Sequence, residues 1–294
     1  MKWRGRRQSS NVEDVRGSSG RSNGTGKKTK LSIITILIIV AISYFTGQNP
    51  LNFINLSDVV GESTSIQGNQ SGNYVPNQAE EELAAFSKVV LAETEDVWYP
   101  LFKNQLGRNY QPPTLRLFSK TDRSACGRAT AASGPFYCPA DQKIYIDLDF
   151  FNELKSRFNA PGDFAIAYVI AHEVGHHIQH MLGTIRQVDS QRGKISQAAY
   201  NDLSVRLELQ ADFLAGVWAH YADRTKGILD EGDIEEALNA ANAIGDDRLQ
   251  KQAQGYVVPE SFTHGTSAQR MRWFRKGYET GDLNQGNTFN TDNL

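Results

Sequence analysis

The chain has 294 residues, a formal net charge of −2 and 39% hydrophobic residues. That length holds one large domain or two, and neither a P-loop nor a glycine-rich dinucleotide turn occurs in it, which excludes the common nucleotide-dependent classes. The charge is unevenly spread: residues 1–30 carry nine Lys and Arg against only Glu13 and Asp14, a net of +7, so the remaining residues carry −9, the difference between −2 and +7.

Residues 1–30 are otherwise mainly Ser, Gly and Asn, and this composition predicts a basic disordered segment. Residues 31–47 begin with an uncharged apolar run from Leu31 to Phe45. The run is short for a membrane span, which usually takes about 17–25 residues, but Tyr44 and Phe45 suit an interfacial belt. A cleaved signal peptide would have a shorter leader and a small-residue exit, whereas the exit here reads Phe45-Thr46-Gly47-Gln48. The expectation is therefore an uncleaved single-pass anchor, with residues 1–30 cytoplasmic by the positive-inside rule and the acidic remainder periplasmic or extracellular. The leader's charge could also attract anionic lipid or nucleic acid. With Trp3 as its one aromatic residue it reads as a topology signal, so a membrane is expected as a partner and nucleic acid is not. Residues 48–79, rich in Asn, Gln, Ser and Gly, read as a linker, and residues 286–294 as a tail.

Between them, residues 80–285 read as the working domain. Glu80 to Gln105 is amphipathic at helical spacing through Leu83, Phe86, Val90, Val97 and Leu101. Thr114 to Phe118 alternates like a strand, and Gly134 to Leu148 reads as a hairpin turning at residues 139–142. Cys126 and Cys138 are the only cysteines. An oxidising location makes a disulfide between them the expectation; a zinc role is weaker, because no second Cys or His pair accompanies them.

An apolar stretch from Phe164 leads into His172-Glu173-Val174-Gly175-His176, with Asp163 as a candidate N-cap and Gly183 as a stop. On a helix, residues four apart share one face about one turn apart, so His172 and His176 can reach one Zn²⁺. Glu173, beside the first ligand, can act as a base toward water made acidic by the ion. His177 is turned about 100° away and His180 lies about two turns from His172, too far along the axis to converge on the same ion. The metzincin pattern needs Gly at 179 and His at 182, where this chain has Gln179 and Leu182. A second apolar helix is expected over Val205 to Ala219, and it places Glu208 and Asp212 on one face. Acidic residues there are either an ordinary exposed face or part of the site.

The pair His172-Glu173-x-x-His176 and Glu208-Leu-Gln-Ala-Asp212 resembles the gluzincin clan, which includes thermolysin and the membrane peptidases with an ExxAD second motif. A closer resemblance is to the neutral zinc metallopeptidase family of bacteria. It is carried by Ala171-His-Glu-Val-Gly-His-His-Ile-Gln179, Glu208 to Asp212, Phe262-Thr-His-Gly-Thr-Ser-Ala-Gln-Arg270, Gly134-Pro-Phe-Tyr-Cys-Pro139 and Trp273-Phe274, and covers about residues 80–285. The resemblance implies an α+β fold: a mainly helical gluzincin-like domain with a small antiparallel sheet, following one transmembrane helix. It implies one zinc per domain, with Glu208 as third ligand and Asp212 orienting His172. The hairpin before the zinc helix would be the substrate edge, a plain sheet edge being the alternative. His264 would stabilise the oxyanion of a peptide-bond hydrolysis, as the downstream His of related gluzincins does, or be a structural histidine. Members of the family often carry a cysteine just after the second-helix aspartate and another near the C-terminus. Here Phe213 stands at the first place and no cysteine lies near Gly286, a linked departure that fits the loss of one disulfide.

The function expected is that of a membrane-anchored zinc peptidase with a peptide or protein substrate. A membrane-tethered module that holds zinc without catalysis, and a zinc amidase acting on cell-wall peptide, are the alternatives.

Overall fold

The computed structural model describes residues 1–17, 76–130, 133–156 and 158–294. In chain order it forms strand β1 (Val12–Asp14), helix α1 (Gln78–Asn104) and strands β2 (Thr114–Phe118), β3 (Thr121–Ser124), β4 (Gly127–Thr130), β5 (Phe136–Cys138) and β6 (Lys143–Asp147). Helices α2 (Asp149–Ser156), α3 (Asp163–Leu182), α4 (Thr184–Asp189), α5 (Gln197–Lys226), α6 (Asp233–Ala243), α7 (Asp246–Gln254) and α8 (Ser267–Thr280) follow. The fold is α+β and mainly helical, with a small sheet.

α3 is the central element because its sequence is apolar nearly all round, and a helix of that kind must be covered on every side. Residues Phe164 to Gly175 are all buried. α1, α5 and α6 pack on it. Asp163 is the first helical residue and not the cap; Gly162 occupies that place at φ 118°. The Phe164 N–H is satisfied by the Glu236 carboxylate of α6 at 3.0 Å, so a neighbouring helix supplies the cap that Asp163 was expected to give. Gly183 ends the helix in the left-handed region at φ 87°, where glycine carries no Cβ penalty.

Two close approaches set the helix spacing. A Cβ on Gly175 would lie 2.9 Å from the Ala211 carbonyl oxygen, so α3 and α5 touch backbone to backbone within the His172–His176 turn. Gly216 of α5 and Gly277 of α8 face each other in the same way, each Cβ position lying 2.1 Å from a carbonyl oxygen of the other helix.

The main sheet has the order β1-β2-β6-β5. β5 and β6 pair antiparallel across residues 139–142, as the hairpin reading anticipated. The remaining pairs are parallel, Leu115 facing Ile144 and Val12 facing Leu115, so the sheet is mixed and not the antiparallel sheet expected. The cause is connectivity. Between β2 and β6 the chain makes the β3–β4 hairpin and β5, and so re-enters the sheet at the end where β2 began.

The larger correction concerns residues 1–17, which pack on the domain. Arg7 reaches Glu95 at 2.8 Å and Asp96 at 2.7 Å, and Ser9 and Asn11 donate to the other Glu95 oxygen at 2.5 and 2.8 Å. Glu13 bridges Arg116 at 2.6 Å and Lys143 at 2.7 Å. Trp3 packs edge-on against Phe86 at 5.4 Å. Composition alone predicts disorder here because the segment buries little apolar surface. Charge-assisted hydrogen bonds to buried carboxylates of α1 replace that surface.

This packing bears on topology. β1 and β2 lie in one sheet, so residues 1–17 and 76–294 sit on the same side of any bilayer, and one crossing between them would separate the strands. The expected arrangement, leader inside and catalytic domain outside, is incompatible with that pairing if residues 31–47 cross a bilayer once. Residues 31–47 and the linker up to residue 75 lie outside the described residues; among those described, no helix is long and apolar enough to cross a membrane. Single cysteines introduced at the exposed positions Gln8 and Lys251 should react with a membrane-impermeant maleimide on intact cells together or not at all. Labelling of one alone would contradict the shared sheet.

A second expectation follows from Glu13. Hydrogen bonds from Lys143 and Arg116 hold its carboxyl below the ordinary value of 4.5. A lowered carboxyl pKa stabilises the docked strand fully above pH 4.5, and the contribution is lost as pH falls through the folded value. Hydrogen exchange at residues 12–15 should therefore accelerate as pH drops below 4.5, beyond the intrinsic pH effect, and Glu13→Gln should remove that step.

Candidate metal centre

His172 and His176 stand one turn apart on the buried face of α3, their ring centroids 4.8 Å apart. The contact at Gly175 lets α5 bring Glu208 between them. Its Oε2 lies 3.1 Å from His172 Nε2 and its Oε1 3.4 Å from His176 Nε2. The three candidate ligand atoms fall within 4.8 Å of one another. Donors at zinc-ligand distances around one tetrahedral ion stand roughly 3–3.5 Å apart, which the two Glu208 contacts match, so the three donors are close enough to converge on one ion.

The tautomers sharpen the fit. His172 Nδ1 lies 2.7 Å from Asp212 Oδ1, and a carboxylate can only accept, so the neutral ring carries its proton on Nδ1. That turns the bare Nε2 lone pair toward a carboxylate, a contact that needs a cation between them. Burial works against charge on His172, but the Asp212 and Glu208 carboxylates outweigh it and push its pKa up to about 10. Glu208 is held well below the usual range despite burial, by His176 and His172. The cluster thus demands positive charge, as protons or as a metal ion.

Asp212, wholly buried, is the hub beneath the site. It accepts from Tyr168 Oη at 2.5 Å, from Arg270 Nε at 2.9 Å and from Arg270 Nη2 at 3.0 Å, besides His172. Burial opposes its charge, and Arg270 and His172 overcome that and lower its pKa to about 2. Gly216 and Gly277 make this possible, because they bring α8, and with it Arg270, against α5.

His177 and His180 stay out of the cluster. His177 faces the sheet, its Nε2 2.6 Å from the Gln111 carbonyl and its Nδ1 3.0 Å from Tyr137 Oη. Burial lowers its pKa to about 4, so it is a neutral strut between α3 and β5. His180 packs near Tyr137, with ring centroids 6.1 Å apart.

A cleft of about 550 Å³ opens over Glu173, His172, His176 and Glu208. One wall is residues 133–137, with Phe136 and Tyr137 of β5; among the described strands β5 pairs only with β6, so its other edge is open. Cys126 and Cys138 are joined in a disulfide that ties the β3–β4 hairpin to this wall. His264 also lines the cleft, half exposed, with Nδ1 3.2 Å from Asp246 Oδ1. The Asp246 Oδ2 accepts the backbone N–H groups of Thr263, His264 and Gly265 at 2.7, 2.6 and 3.1 Å, which fixes the loop that presents His264. Burial disfavours a charged His264, yet Asp246 and Glu208 raise its pKa.

Four participants escaped the sequence reading: Tyr168, Gln179, Asp246 and Arg270. In the sequence Arg270 stands out only as the last residue of the Phe262–Arg270 motif. The available signal was its place three residues before Trp273 on a face that must be buried. Arg270→Met would leave the Asp212 charge buried without its arginine partner. Removing one member of a buried pair typically costs about 3–5 kcal/mol, and urea unfolding of the variant should show a loss of that order.

The profile of a family described as "Putative neutral zinc metallopeptidase" matches residues 1–289 of the chain. The uncharacterized protein YpfJ of Escherichia coli is 47% identical over 293 residues, which cover 98% of this chain and 99% of that protein. The uncharacterized protein Rv2575 of Mycobacterium tuberculosis is 45% identical over 208 residues, covering 67% of this chain and 68% of that protein. No solved structure matches. The profile starts within the basic leader, so residues 1–17 are shared with the family as well as packed on the fold. A chain matched over nearly its whole length, with two histidines and a glutamate poised to hold one ion, belongs to the neutral zinc metallopeptidase family.

Proposed function

We propose that the protein is a zinc-dependent peptidase, with His172, His176 and Glu208 as the metal ligands and Glu173 as the general base. The observation that carries this reading is the position of Glu173. It follows the first ligand directly on α3 and lines the open cleft with the three candidate donors, so a base and a Lewis acid would face the same substrate bond. A site that only held metal for stability would be closed and would have no use for that carboxylate.

Zinc bound there would polarise the scissile carbonyl and lower the pKa of a water toward roughly 7. The remaining work falls to side chains of this chain. The Glu173 carboxylate accepts the proton of the attacking water and delivers it to the departing amine. His264, presented by Asp246, donates a hydrogen bond to the oxygen that gains charge in the tetrahedral intermediate. Asp212, itself fixed by Tyr168 and Arg270, holds His172 with Nε2 facing the metal position. The open edge of β5 receives an extended peptide as an added strand, which makes peptides and unfolded protein segments the substrate class.

The disulfide favours an oxidising compartment for the domain. Since the leader shares the sheet, it would lie in that compartment too.

Glu173→Gln tests the mechanism. The amide preserves shape and cannot take a proton, so zinc content should stay at the native level while peptide cleavage falls by about 10²–10⁴-fold, the usual contribution of a general base. Native turnover in this variant would remove Glu173 from the reaction, and loss of zinc would make it structural.

A further inference from the structure

Gln179 lies on α3 three residues beyond His176 and is fully buried. Its Oε1 is 2.9 Å from His176 Nδ1. Its Nε2 is 2.7 Å from the Leu207 carbonyl oxygen and 3.1 Å from Gln210 Oε1. These partners determine which end of the amide is which. A backbone carbonyl only accepts, so the group facing Leu207 must be the NH₂. Turned over, the amide would set its oxygen against two other oxygens. Gln210 is fixed by the same logic, because its own Nε2 donates to the Gly286 carbonyl at 3.0 Å and leaves Oε1 free to accept.

The Gln179 oxygen therefore faces His176 as an acceptor with one available proton, that on Nδ1. We propose that Gln179 is the positioning residue for His176: it locks the ring in the Nδ1–H tautomer and turns Nε2 toward Glu208 and the metal position. The inference rests on the zinc reading of the site and adds the device that orients the second histidine. Metal-bound histidines almost always donate their other N–H to a carboxylate, a carbonyl or water. Here His172 uses the Asp212 carboxylate and His176 a neutral side-chain amide. The amide is anchored at Leu207, the residue before Glu208, so the third ligand and the anchor of the second ligand's orienter share one turn of α5. Gly286, in the C-terminal segment, buttresses the same chain of hydrogen bonds.

The test compares zinc affinity, by competition with a chromophoric chelator, in the full chain and two variants. Gln179→Met keeps length and apolar volume but cannot accept the Nδ1 proton. It should bind zinc about 10–100-fold more weakly, the usual effect of losing such a partner, and its cobalt-substituted form should show a shifted visible spectrum. Gln179→Glu keeps an acceptor toward His176 while spoiling the Leu207 contact. It should melt at a lower temperature yet hold zinc close to the native affinity. Unchanged zinc affinity and cobalt spectrum in Gln179→Met would overturn the proposal. So would equal loss of zinc in both variants, because anchoring to Leu207 and not the acceptor would then be what matters. A native chain that takes up no zinc removes the site reading and this proposal with it, whereas native uptake alongside unchanged Gln179→Met affinity removes this proposal alone.

Discussion

Asp212 is a carboxylate with no solvent exposure, and the rest of the site depends on keeping it charged. An isolated buried charge would take up a proton or pull the structure apart. This one is held by Arg270 from α8, by His172 and Tyr168 from α3 and by its own place on α5, so three helices must meet at one depth and one rotation. The glycine contacts between α3 and α5, and between α5 and α8, allow that meeting. Once it is made, the orientation of His172 follows, Glu208 comes to rest one turn away between two ring nitrogens, and the face of α3 that carries Glu173 is left looking into the cleft. Low exposure strengthens the pull of the buried carboxylates on a cation, so one is favourable there.

The parts legible in the sequence were those written as local patterns. Apolar periodicity around His172 and Glu208 located both helices, and four-residue spacing put the right side chains on the right faces. The β5–β6 hairpin was readable from its turn residues. What the sequence concealed was long-range pairing. Nothing near Arg270 announces Asp212, 58 residues away; nothing near Asp246 announces His264, 18 residues away. The parallel pairing of β2 with β6 depends on the path between them, which strand patterns do not encode.

Residues 1–17 show the same limit more sharply. By composition they should not fold, and the inference fails because composition counts apolar surface and not complementarity. Glu93 and Glu95 are buried acids on α1, an anomaly visible only once α1 is known to be packed, and Arg6 and Arg7 are their partners. The linked absence of two cysteines also has a structural counterpart. Positions 213 and 286 are in contact, and a Cβ on Gly286 would come within 2.5 Å of the Phe213 ring. An aromatic ring against a glycine stands where the resemblance led one to expect a disulfide, so the C-terminal segment that supports Gln210 is held by packing.

In the proposed site, three side chains from two helices share one zinc ion. The most direct measurement is an anomalous difference map from a crystal of the zinc-loaded protein, with data collected on both sides of the zinc absorption edge. One strong peak per chain is expected between His172 Nε2, His176 Nε2 and the Glu208 carboxylate, present above the edge and absent below it. A peak at other side chains, or an empty position between these three in zinc-saturated protein, would contradict it.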